Sequence, residues 1–140
     1  MKKLTGAFAL LLVAGCSTSP VSVDTADQAK AANVYAFQSK PAGPSGSLTV
    51  VRDSGFVGGG CDMGVYVDGR LVARIATKEK VTLLLPAGPR VVGAGIVGSG
   101  LCAANNDRRE REISIRDGAR LNYRLFTSGN GDVDLLPTTY

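Results

Sequence analysis

The chain predicts an all-β fold: a small antiparallel β-sandwich of immunoglobulin or transthyretin-like type, with about seven to eight strands. Three observations predict it. Short runs rich in β-branched residues recur at regular spacing after residue 47, alternating apolar and polar side chains with period two. Two of the turns between them are Asp-Gly pairs, Asp68-Gly69 and Asp117-Gly118, the residue types that hairpin turns with positive φ demand. Glycine is abundant, 18 of 140 residues, and no apolar helical face follows the N-terminal segment. The length suits one domain, and a closed barrel is the other way to bury such strands.

Taken in order, "SLTVVR" (47–52) is the first strand, and "NVYAF" (33–37) is a short candidate before it. "GVYV" (64–67) and "RLVARIA" (70–76) are joined by Asp68-Gly69 as a hairpin, with Leu71, Ala73 and Ile75 on one face. Asp68 at such a tip supplies backbone geometry, because an exposed turn lacks the enclosure that tunes a carboxylate for acid–base work. "KVTLLL" (80–85) places Val81, Leu83 and Leu85 together, and Pro86 and Gly88 in "PAG" suit a type I turn. "RVVGAGIV" (90–97) follows, then the polar loop "GSGLCAANNDRRE". "REISIR" (111–116) and "RLNYRLF" (120–126) flank the second Asp-Gly, and "DVDLLP" (132–137) closes the domain after "SGNG".

The N-terminus gives an address. Lys2 and Lys3 precede an apolar run from Ala7 to Ala14, too short for a permanent span of about 20 residues. The run ends in "VAGC", which resembles a bacterial lipobox. Residues 1–15 are expected as a signal peptide cleaved between Gly15 and Cys16, with the Cys16 thiol taking diacylglycerol. Several acyl chains make a stable anchor where one does not. Ser17, a residue other than Asp, favours sorting to the outer membrane, with the domain on its periplasmic face. Residues 16–46, rich in Ser, Thr, Ala, Pro and Gly, read as a lipidated flexible tether, leaving 47–140 as the sandwich. Without Lys2 and Lys3 the formal charge falls from +4 to +2, which argues against a nucleic-acid partner.

The core stretch "LTVVRDSGFVGGGCDMGVYVDGRLVARIATKEKVTLLLPAGPRVVGAG" combines a strand, Arg52, a glycine-rich loop, "V-x-V-D-G" and "L-x-P-x-G". In these features it resembles a group of uncharacterised proteobacterial lipoproteins, and its "V-D-G" layout resembles the PEGA-type surface domain. The resemblance implies a small β-sandwich at the cell envelope. It carries over no catalytic residue: many relatives have histidine after "P-x-G", where this chain has Pro89 and Arg90.

The chemistry-bearing residues are few. The chain has no histidine, which removes Ser-His-Asp and Cys-His catalysis as usually built. Apart from Cys16, the cysteines are Cys61 and Cys102, an even pair that an oxidising compartment would bridge; free thiols and half of a metal site are the alternatives. Without histidine or a C-x-x-C spacing, no metal and no cofactor are expected. "GAGIVG" (Gly93, Gly95, Gly98) matches G-x-G-x-x-G, but no helix follows to face a pyrophosphate, so these glycines read as strand bends or close inter-sheet packing. Phe56, Gly58, Gly59 and Gly60 form a candidate partner-contact loop pinned at Cys61, and Arg52 is placed to fix it through Asp53 or Asp62. Arg108, Arg109 and Arg111, clustered with Arg116, are a candidate basic contact for peptidoglycan or anionic lipid. Asp62, Asp132 and Asp134 are the carboxylates that could pair for glycoside hydrolysis, though their spacing does not favour it. The expectation is a non-enzymatic lipoprotein held to the membrane by its N-terminal lipid and binding an envelope protein or peptidoglycan. The alternatives are a subunit of an envelope or secretion assembly, or a periplasmic inhibitor of a cell-wall hydrolase.

Overall fold

The computed structural model describes residues 17–55, 59–104 and 107–140, which form an all-β sandwich of two sheets. Its strands are β1 (Asp27–Gln28), β2 (Ser45–Arg52), β3 (Asp62–Val67), β4 (Arg70–Ile75), β5 (Glu79–Pro86), β6 (Gly88–Val97), β7 (Arg108–Ile115), β8 (Arg120–Thr127) and β9 (Val133–Pro137). The first sheet has the order β1-β5-β2-β8-β9 and the second β4-β3-β6-β7. The eight main strands are those the alternation predicts, and two-residue β1 is the addition.

Alternation builds the core. Leu48 and Val50 of β2, Val81, Leu83 and Leu85 of β5, Leu125 of β8 and Leu135 of β9 face Met63, Val65, Ile75, Val92, Ala94, Ile113 and Ile115 of the other sheet. Every strand except β1 contributes to this one apolar cluster. Asp68 and Gly69 both have positive φ, 49° and 81°, so the predicted hairpin between β3 and β4 is present. The Asp68 carboxylate also accepts hydrogen bonds from Val91 N (3.0 Å) and Arg90 Nη1 (3.2 Å), tying the tip to the start of β6.

Several connections differ from expectation. At "PAG", expected as a type I turn, the chain changes sheet: β5 and β6 lie in different sheets, and the chain passes between them at Ala87 and Gly88, whose φ of 125° is one that residues with side chains rarely adopt. Asp117-Gly118 likewise carries the chain from β7 in one sheet to β8 in the other. Ser45 N donates to Asp117 Oδ1 (2.9 Å) and Gly118 N donates to Ser45 O (2.8 Å), so β2 and β8 start at the same end. They therefore pair in parallel, and the first sheet is mixed. Leu71 leaves the predicted face because a bulge between Val65 and Tyr66 makes Val72 the extra residue. Val72 is buried in its place, and Leu71 joins Tyr66 on the outer surface.

Where a flexible tether was expected, the chain runs along the sandwich. Ser19 bridges Ser54, β1 pairs with β5, Val34 bridges Ala73, and Leu84 N donates to Phe37 O (2.8 Å). "NVYAF" thus makes one bridge and no ladder. Ala29, Val34, Ala36 and Phe37 of this segment pack against the apolar core, and Val51, outside that core, is fully buried on the face of β2 turned away from the other sheet. The expected boundary at residue 46 falls inside β2.

Candidate functional site

β2 delivers two charged residues to one end of the sandwich. Successive side chains of a strand point to opposite faces, so Arg52 turns inward between the sheets and Asp53 outward. Arg52 is 3% exposed, and its Nη1 donates to Cys61 O (2.7 Å) and Ile75 O (3.0 Å). Burial lowers its pKa from the ordinary guanidinium value, and the charges of Asp62 and Glu79 oppose that shift. Arg52 does hold the Cys61 end of the glycine loop, but through a backbone carbonyl.

Asp53 is 2% exposed and pairs with Arg124 of β8, which contributes Nε (3.2 Å) and Nη2 to its carboxylate. Thr18 Oγ1 donates to the same carboxylate (3.0 Å) and accepts from Thr127 N (3.1 Å). The first described residues are thus latched to the ends of β2 and β8. The expected partner of Asp53 was Arg52, and the structure gives it Arg124 and Thr18 instead. The opposite-face rule for adjacent strand residues already forbids the Arg52–Asp53 pair.

The disulfide closes the same end. Cys61 precedes β3 and Cys102 lies in a short 3-10 turn (Gly100–Ala103) after β6, with Cα atoms 5.6 Å apart. The neighbouring residues Asp62 and Val97 are partners in the β3–β6 ladder, so the bridge continues an existing pairing. Gly98 permits it: a Cβ there would lie 2.7 Å from Cys102 Cβ. The turn presents Leu101, 95% exposed, to solvent. In the expected contact loop Gly59 and Gly60 form an exposed turn beside Cys61, while Phe56 and Gly58 lie outside the described residues. Gly15 and Cys16, with the whole signal segment, also lie outside them.

The arginines of the expected basic contact are all on β7, but alternation divides them. Arg108 lies on the outer face, paired with Glu110 (2.8 Å) and 4.5 Å from the Tyr66 ring centroid. Arg109 lines a cavity of about 300 Å³ with Asp107, Arg108, Asp132, Ile96 and Val133. Arg111 makes a two-pronged contact with Asp134 of β9 (2.8 and 2.9 Å), closing the open side between the sheets. Arg116 does not join them, because it follows the opposite end of β7. The carboxylates separate too: Asp134 is held by Arg111, Asp62 begins β3, and Asp132 shares its cavity with Asp107.

The glycines of "GAGIVG" receive a more exact role. Val92 and Ala94 enter the core, so Gly93 and Gly95 lie on the outer face, where Glu110 and Arg108 cross Gly93 and the Asp107 carbonyl and Arg108 approach Gly95. They give close packing there, not between the sheets. Among the described residues no group of three potential metal ligands occurs, and no helix is long and apolar enough to cross a membrane. The chain matches no family model, no curated protein and no solved structure, so the site is defined by its own residues alone.

Proposed function

We propose that the chain is a lipid-anchored, non-enzymatic protein of the outer membrane, facing the periplasm and binding another envelope component along β7. The observation that carries the binding face is the charged edge. β7 ends the second sheet, its residues from Arg108 to Glu112 are exposed, and Arg109 opens onto the cavity that also holds Asp107 and Asp132. An arginine beside two aspartates suits a ligand bearing both charges, such as a peptide stem or an extended protein segment. The lipobox-like "VAGC" supports the address, and a disulfide joining Cys61 and Cys102 accords with an oxidising compartment.

Crosslinking in intact cells followed by purification tests this. The wild-type chain is expected to capture one stoichiometric envelope protein or peptidoglycan fragment, and Arg109→Glu to lose it. Equal capture by both chains, or none by either, would remove β7 as the contact. Cys16→Ser separately tests the address: its retention in the membrane fraction would remove the lipid anchor.

A further inference from the structure

Thr18 is two residues from Cys16, and Thr18 is fixed. Its hydroxyl holds Asp53 and Thr127, and Ser19 beside it bridges Ser54. Two extended residues span at most about 7 Å, so an acylated Cys16 would lie within about 7 Å of the Thr18 Cα in any conformation. A free tether from residue 16 to 46 would instead let the domain wander roughly 30 Å from its anchor. The segment cannot provide that reach while it is bonded along the sandwich.

The anchor therefore selects one end of the domain, and contacts trace which residues share it. Thr18 holds Asp53, the neighbour of Arg52. Arg52 holds the carbonyl of Cys61, Cys61 is bridged to Cys102, and Leu101 stands beside it. An exposed leucine alone means little. Here it is 95% exposed, carried on a turn covalently pinned to the body, and located at the end that a lipid would hold. Charges at this end have both signs, with Lys78, Arg108 and Arg109 against Asp62, Glu79, Asp107 and Asp132, so attraction to anionic headgroups is not required.

We infer that the domain rests directly on the phospholipid surface, with the disulfide-pinned end turned to the bilayer and Leu101 as its apolar contact. This rests on the Cys16 anchor proposed above. The Arg109 cavity then lies at the membrane-proximal end of β7, so a partner would reach it from the side, along the β7 edge, close to the bilayer surface.

The chain has no tryptophan, so Leu101→Trp introduces a single reporter, with Ala103→Trp as a second and Arg116→Trp as a control at the opposite end. Each acylated full-length protein is placed in phosphatidylcholine vesicles with and without brominated acyl chains. Emission from the Leu101→Trp and Ala103→Trp proteins is expected to shift to the blue. Bromine should reduce it roughly twofold, as for groups seated about 5–10 Å into the headgroup and acyl boundary. The Arg116→Trp protein should be unaffected. Inserting twenty Gly/Ser residues between Ser17 and Thr18, with a reach of about 25 Å, should abolish the quenching without releasing the protein. Absence of quenching in protein whose mass shows the acyl chains would overturn the orientation and leave the anchor standing. Shielding that requires added envelope protein would overturn it too. Membrane-bound protein lacking the acyl mass would overturn the anchor, and the orientation with it.

Discussion

Removing either partner of the Asp53–Arg124 pair deletes the same contact, yet the two losses should differ. The Asp53 side chain is 1% exposed and that of Arg124 is 23% exposed. In Arg124→Met the carboxylate keeps Thr18 as a side-chain donor but loses the guanidinium that neutralises its charge. Breaking a buried pair in this way costs about 3–5 kcal/mol. In Asp53→Asn the amide still accepts from Thr18, and Arg124 turns toward solvent while keeping its place over Phe126 (4.8 Å). The loss is then that of a charge-assisted hydrogen bond, about 1.5–3 kcal/mol. At roughly 4 °C per kcal/mol for a domain of this size, Arg124→Met should lower Tm by about 12–20 °C and Asp53→Asn by about half that. The double variant should cost less than the sum, because the second change removes the charge that the first strands. Urea and thermal unfolding of the Cys16→Ser chain, followed by circular dichroism, measures all three. An Arg124→Met loss equal to or smaller than that of Asp53→Asn would refute the account, as would strict additivity.

Two further outcomes test the same end and the outer face. Replacing Cys61 and Cys102 by serine opens a 41-residue separation and should cost up to about 4 kcal/mol, so an unchanged melt would show that the bridge does not constrain the unfolded chain. Gly95→Ala should cost about 1–3 kcal/mol because its Cβ would meet the Asp107 carbonyl at 2.9 Å. Gly93→Ala should cost less, since its nearest contact is the side-chain Glu110 Cγ at 3.1 Å and the backbone it meets, the Arg109 carbonyl, stands farther off at 3.3 Å. Denaturation midpoints that rank these two in the reverse order would contradict the outer-face packing.

Much of the fold was legible because strands have a period of two. Val81, Leu83 and Leu85 declare their face directly, and Asp68-Gly69 declares its turn because few other residues accept two positive φ values. The bulge at Val65/Tyr66 was not legible, since one extra residue reverses the face of Leu71 without leaving a compositional mark. "PAG" and Asp117-Gly118 were recognised as turning points, but turn chemistry does not say whether the next strand stays in its sheet. The same limit hid the parallel pairing of β2 and β8. In the candidate site, the arginines of β7 could be named from their run, while their partition among Tyr66, Asp134 and the cavity depended on strands distant in sequence.

Local rules thus determined the strands, the hairpin at Asp68 and the even pair of cysteines, because periodicity, φ preference and thiol count act through neighbouring residues or simple number. Tertiary structure decided which strands share a sheet, that Asp53 belongs to Arg124 and Thr18, and that residues after Cys16 lie against the body. Those outcomes depend on long-range burial. A polar, proline-containing segment looks like a tether until its Val34, Ala36 and Phe37 meet the core and its Thr18 meets a buried carboxylate.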